Sequence, residues 1–289
     1  MDSGSSRRAA DAVLSWTVRG AAVLSAAVVV LIALFLFFEA FPVLRNGGFG
    51  RFLTDETWRP SDDLFRALPM VVGTAVVAGG ALLLAVPLGV LSAVFAVHYA
   101  PPRLGRAYRG LLALMAGIPS VVYGFWGLVT LVPLVARIRA PGPSVLAGIV
   151  VLGLMILPMV ALTARAALVE VPRTHLRAAA ALGLTRWGTV RGVVLPSARA
   201  GIVTGVILAM GRAIGETMAV LMVTGNVVQV PDSLFAPVRA LTANIALEMA
   251  YALGDHRSAL FVTGLMLLGV VAVLTLAAGW AGGDGRQTS

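Results

Sequence analysis

The sequence predicts an all-α integral membrane protein with six membrane-spanning helices. Three observations predict it. With 59% hydrophobic and only 12% charged residues and a mean hydropathy of +0.94, the chain lies far outside the composition of a soluble domain. Six apolar runs each reach or exceed the length that crosses the hydrocarbon core, about 20 residues at helical rise. The 22 basic residues, all arginine, gather mainly between those runs and form no basic stripe of the kind that binds nucleic acid.

Each run can be placed in order. Residues 1–20 form a polar, basic segment with Arg7, Arg8 and Arg19, and the first span follows at about 21–43. That run is longer than a signal-peptide core and lacks a small-residue cleavage site. It is therefore expected to be kept as a span, despite the faint likeness of Ser5-Ser-Arg-Arg8 to a twin-arginine signal. Glu39 near its end is expected to reach toward headgroups. Residues 44–66 read as a polar loop, with Phe49, Phe52 and Trp58 suited to an interface. The second span runs over about 68–97 with Pro87 inside, Pro101 and Pro102 stop it, and Arg103, Arg106 and Arg109 mark a short basic loop. His98 at that boundary has no metal-spaced partner and is expected as an interfacial side chain, His175 is expected on the exposed surface of the later basic segment with no chemistry, and no metal site is expected.

The third span, about 111–135, holds Gly117-Ile-Pro-Ser-Val-Val-Tyr-Gly-Phe-Trp-Gly127. Glycine, proline and hydroxyl residues within a span predict a broken or bent helix lining a cavity, or a packing kink. The fourth span covers about 145–168 around Pro158, and residues 169–200 are the long basic segment. In that segment Pro172 opens a short helix that Gly183 stops, and Thr185 caps a second that is expected to end before Pro196. The fifth span is placed at about 201–223, and a polar stretch with a helical pattern over 240–253 follows. The sixth span covers about 259–280, and 281–289 is a tail.

Loop arginines set the orientation. With the N-terminus in the cytoplasm, thirteen arginines fall on the inner side and eight on the outer, so both termini and the 169–200 segment are expected inside. Absent lysine, a G-x-x-x-x-G-K-[ST] phosphate loop cannot form, and ATP-driven work would need another subunit. Absent cysteine, there is no disulfide, thiolate metal site or cysteine nucleophile. Neither an enzyme's nucleophile set nor a cofactor motif is visible, and the chain is read as non-catalytic.

One ionisable pair lies within a span. Arg212 and Glu216 stand four residues apart, on one face of a helix, where they are expected to pair. A charge at bilayer depth costs about 2.5–3.5 kcal/mol on insertion scales, so such a pair marks a site by default; the alternative is that the two only neutralise each other and lock a helix contact. Two glycine pairs, Gly201 with Gly205 and Gly211 with Gly215, predict close approach of a partner helix. The planar fork of a buried arginine suits a small oxyanion.

Arg177-Ala-Ala-Ala-Ala-Leu-Gly183, nine residues and then Val193-Val-Leu-Pro196 resembles the EAA loop of ABC-importer permeases, with Arg177 where that family has glutamate. The stretches 117–127 and 211–226, with Pro231-Asp-Ser-Leu-Phe235 and Leu241-Thr-Ala-Asn-Ile-Ala246, resemble phosphate ABC-importer permeases, the C-type subunit more than the A-type. The resemblance implies the type I importer fold with N- and C-termini cytoplasmic, in a cell inner membrane. It implies no cofactor, and a heterodimer with an A-type permease, served by cytoplasmic ATPase subunits and a periplasmic or lipid-anchored phosphate-binding protein. It also implies a substrate path at Arg212, Glu216, Ser120, Tyr123 and Thr217. ATPase coupling would fall to Arg177, Ala178, Ala179, Gly183, Leu195 and Pro196. A permease for tungstate, molybdate or sulfate keeps all of this except the substrate, since charge pairing alone does not separate anions. A secondary transporter would show internal repeats, and no convincing one is visible.

Overall fold

The computed structural model describes the backbone of residues 3–283 and the side chains of residues 14–276. The side chains of Arg7 and Arg8 and most of the predicted tail lie outside the described residues. Within them, six helical segments are long and apolar enough to cross a membrane: Leu14–Gly47, Leu68–Tyr99, Ser120–Ile138, Val145–Val169, Arg186–Ile214 and Gly254–Leu276.

Helix α1 (Ser3–Gly47) carries the first span, and α2 (Arg51–Thr54) and a two-stranded hairpin follow. Strand β1 (Trp58–Arg59) pairs antiparallel with β2 (Leu64–Phe65), Trp58 opposite Phe65. Helix α3 (Leu68–Val94) runs through Pro87 and closes in a π-helical turn at Phe95–Tyr99. The third span is broken. Helix α4 (Pro102–Gly117) ends where Ile118 and Pro119 are extended; α5 (Ser120–Trp126) then restarts and passes through a π-helical turn into α6 (Val132–Ile138). Arg103, Arg106 and Arg109 therefore sit on the first turns of a helix, not in a loop, because Pro102 supplies a favourable first helical position. Helix α7 (Val145–Val169) starts at Ser144, whose hydroxyl accepts the Ala147 N–H at 3.3 Å.

The basic segment folds as α8 (Arg173–Ala181), a left-handed Gly183 with φ of +71°, and α9 (Arg186–Thr189), capped by Thr185. The second helix does not stop before Pro196. It continues through a π-helical turn at Val190–Val194 into α10 (Leu195–Ile214). Proline lacks the N–H that would continue the ladder, and the wider turn just before it absorbs the misfit. The chain then breaks at Gly215, and α11 (Met218–Val223), α12 (Leu241–Glu248) and α13 (Gly254–Gly283) complete it.

Helices α3 and α7 make the most extensive contact, with α10 against α7 next. They enclose the main core around Val77, Val151, Leu152, Ile156 and Ala209. A second core at the hairpin end joins Ala40, Val43, Phe52, Trp58, Phe65, Met70, Leu241 and Leu260. Phe52 and Trp58, expected at an interface, are thus core residues, and only Phe49 stays exposed. The third core, at the opposite end, locks Val171, Val190, Val194 and Ala198 of the basic segment onto Ala93, Val94, Ala164 and Leu168. Glu39 has a protein partner, Arg257 at 3.5 Å, instead of reaching out alone.

Candidate functional site

The break after Ile214 decides the geometry around the intramembrane charges. Gly215 ends α10, and the Glu216 carboxylate accepts the Ala219 N–H at 3.2 Å, covering one of the orphan donors of the first turn of α11. Because the helix is interrupted between them, Arg212 and Glu216 do not pair: among the described residues Arg212 has no ion-pair or hydrogen-bond partner. This corrects the expectation drawn from their spacing, which assumed one continuous helix. The Glu216 carbonyl accepts the Thr242 hydroxyl at 2.9 Å, and Thr217 donates to the Gly215 carbonyl at 3.4 Å.

Arg212 instead lines a cavity of 530 Å³ with Met115, Ile118, Tyr123, Met155, Met159 and Thr163 among its walls. Among the described residues no carboxylate lines that cavity. The Tyr123 hydroxyl donates to the Met115 carbonyl at 2.9 Å, and the Thr163 hydroxyl is taken up by the Met159 and Val160 carbonyls at 2.8 and 3.0 Å. Among the described residues the guanidinium is therefore the one cationic group facing a largely apolar space, the arrangement that favours a small anion over a neutral ligand. Of the five residues expected along a substrate path, Arg212 and Tyr123 share this cavity; Ser120, Glu216 and Thr217 sit at helix breaks outside its lining.

The two broken spans lie against each other. A Cβ on Gly124 would stand 2.8 Å from the Ala219 Cα, and one on Gly127 would stand 2.9 Å from a Val223 methyl. These glycines let α5 and α11 approach closely. Gly201 and Gly205 do the same for α10 against Ala167 and Thr163 of α7, as their spacing predicts. Gly211 and Gly215 do not: a Cβ on Gly211 would meet nothing, and one on Gly215 only the Gly211 carbonyl of its own helix.

A second charged cluster escaped the sequence reading. Glu248, 7% exposed, accepts from Arg239 at 2.6 Å, from the Trp58 indole at 2.8 Å and stands 2.9 Å from His256 Nε2. Arg239 also donates to the Asn226 carbonyl at 2.9 Å and to Asn244 Oδ1 at 3.0 Å. The available signal was a glutamate within the apolar pattern at 240–253. Its partners lie up to 190 residues away and share no motif with it. Among the described residues no group of histidine and carboxylate side chains is arranged to hold a metal.

In the basic segment Arg177, Ala178, Gly183 and Pro196 are exposed and Leu195 is half-buried. Ala179 is 2% exposed and packs inside this chain, so it offers no surface to a partner. The apolar surface of the segment is made by Leu182, 80% exposed, with Leu184 and Trp187.

Comparison with known proteins adds the following. Residues 85–281 match the family model described as "Binding-protein-dependent transport system inner membrane component". The chain is 37% identical to a phosphate transport system permease protein PstC of Mesorhizobium japonicum, over 92% of this chain and 88% of that one. It is 34% identical to a protein of the same name from Haemophilus influenzae, over 78% and 79%. Among solved structures, a bacterial alginate ABC transporter in complex with a pentasaccharide-bound periplasmic protein aligns with a TM-score of 0.65 at 15% identity, covering 96% of this chain and 98% of that one. The MetNI methionine ABC transporter aligns with a TM-score of 0.57 at 22% identity, over 75% and 93%. These two likenesses concern the fold.

Proposed function

The chain belongs to the binding-protein-dependent transport system inner membrane component family, and from that premise we propose that it is the membrane permease subunit of an ATP-driven importer of inorganic phosphate. The observation that carries the proposal is Arg212, without a partner among the described residues and facing a largely apolar cavity of 530 Å³ that α4, α5 and α7 line with it. Phosphate is favoured over other oxyanions by the substrate in the names of the relatives, at 37% and 34% identity. In this reading Arg212 meets the anion, Tyr123 of α5 shapes the cavity beside it, and Glu216 holds the turn that follows Arg212 by capping α11.

The remaining parts follow from the same premise. Both termini and the 169–200 segment face the cytoplasm, and the hairpin end faces the side from which a phosphate-binding protein delivers its cargo. An A-type permease completes the path on the open side of Arg212, and separate ATPase subunits supply the energy. They dock on α8, α9 and the exposed Leu182, Leu184 and Trp187. Membrane insertion is in the cell inner membrane.

The test is ATP-dependent uptake of labelled phosphate into vesicles holding this chain with its partner permease, ATPase and binding protein. Uptake that resists sulfate, molybdate and tungstate, and that Arg212→Ala abolishes while the complex still assembles, is the expected result. Competition by one of those anions would change the substrate, and full uptake by the variant would remove Arg212 from the path. For coupling, Leu182→Asp is expected to lower substrate-stimulated ATP hydrolysis at least about tenfold, the order of effect of losing a central apolar anchor from an interface. Undiminished hydrolysis would place the ATPase contact elsewhere.

A further inference from the structure

Helix α12 stands between the two charged clusters and is bonded to both. It is eight residues long, and Leu241, Thr242, Ala243 and Asn244 of its first turn are buried. At that end the Leu241 N–H donates to Thr74 Oγ1 of α3 at 3.0 Å, and the Thr242 hydroxyl donates to the Glu216 carbonyl at 2.9 Å. At its other end Glu248 receives Arg239 and the Trp58 indole and meets His256. Arg239 reaches back across α12 to Asn244 Oδ1 and to the Asn226 carbonyl just beyond α11. Helix α11 is thus held at both ends through one element: at Glu216 directly by Thr242, and at Asn226 through Arg239.

We propose that α12 positions the Gly215–Thr217 turn, with Thr242 and Glu248 as its positioning residues. The significance of that turn rests on the reading of Arg212 as part of the substrate path; the positioning itself rests on the bonds alone. The physical case is one of constraint. Across the three-residue break the Gly215 carbonyl takes the Thr217 hydroxyl and the Thr217 carbonyl the Leu221 N–H, but the Glu216 carbonyl has no backbone donor and needs a partner from elsewhere. The Glu216 carbonyl finds one in Thr242, a side chain on a helix that cannot shift without breaking the buried Glu248–Arg239 pair at its far end. An eight-residue helix is about 12 Å long and rigid on that scale, so the outer cluster and the turn are set relative to each other.

The chain lacks cysteine, so a single reporter can be placed without background from it. Gly215→Cys suits this, because Gly215 is exposed, has φ of −82°, and a Cβ there would meet only the Gly211 carbonyl at 3.4 Å. The experiment is the rate of modification of that thiol by a hydrophilic maleimide, in the complex assembled with cysteine-free partners. Thr242→Val is expected to raise the rate roughly threefold to tenfold, the change in local opening set by one lost hydrogen bond. Thr242→Ser, which restores the hydroxyl, should return it to within about twofold of the parent. Glu248→Gln should move it in the same direction as Thr242→Val, and if that variant does not assemble, the Thr242 pair decides. A rate in Thr242→Val unchanged from the parent, or one that serine does not rescue, would overturn the positioning role. Labelling reads the turn whether or not phosphate passes it. Retained uptake in Arg212→Ala would therefore overturn the transport reading alone, and an unmoved labelling rate the positioning role alone.

Discussion

Two arginine–glutamate sets near the broken span, Arg212 with Glu216 and Arg239 with Glu248, are built in opposite ways. Arg212 and Glu216 are close in sequence and unpaired in space; Arg239 and Glu248 are nine residues apart and joined at 2.6 Å, with Trp58, Asn244 and His256 around them. In the first set each charge looks away from the other, the glutamate to a helix end and the arginine to a cavity. In the second, the carboxylate takes three partners and the guanidinium bonds three groups, the Asn226 carbonyl, Asn244 and Glu248. An arginine whose donors are spent on the protein holds structure; one whose donors are free is available to a ligand. Burial alone would have ranked them in reverse, because the paired set is the more enclosed.

The sharpest way to break this contrast is to delete one residue from each. Arg212→Ala is expected to abolish uptake and leave thermal stability of the purified complex unchanged, since the side chain has no partner to orphan. Glu248→Ala is expected to cost about 3–5 kcal/mol, the range for stripping one member from a buried pair, read as a lower unfolding midpoint. Equal stability losses in the two variants would erase the distinction. A smaller effect tests the helix that carries Arg212. Gly205→Leu, which forces a side chain into Thr163, should destabilise by about 1–3 kcal/mol. Gly211→Ala, which meets open space, should be neutral or stabilise by up to about 1 kcal/mol through helix propensity. The same melts read both.

Legibility in the sequence followed the range of the forces involved. The second and fourth spans, set by local apolarity alone, match Leu68–Tyr99 and Val145–Val169 to within a few residues, whereas the fifth, expected at 201–223, lies at Arg186–Ile214, and the third, expected at 111–135, is split, with its apolar part at Ser120–Ile138. The breaks at Gly183 and at Gly117–Pro119 were visible because glycine and proline act on their own backbone. The break at Gly215 was not legible. Nothing near it forbids a helix, and it is stabilised by Glu216 capping α11 and by Thr242 from a helix 26 residues on. Pro196 misled in the other direction, since a wide turn before it allowed the helix to pass through. Arg212 was picked out because a charge in an apolar span is conspicuous anywhere; the partners of Glu248 were hidden because polar residues in a polar stretch are not. Ala179 matched a pattern, but its burial depends on neighbours that no pattern of one segment contains.

The glycine contacts along α10 also have a mechanical side. The chain is helical without interruption from Arg186 to Ile214, and it is pressed onto α7 at Gly201 and Gly205. It is held on both sides of that contact as well: Val190, Val194 and Ala198 are set in the third core, and Ala209 and Ala213 in the main one. From Arg186 to Arg212 the element spans about 39 Å at 1.5 Å per residue. It is therefore a splint, not a hinge: the basic segment and the Arg212 guanidinium belong to one braced body, and a displacement at either end has to carry α7 with it.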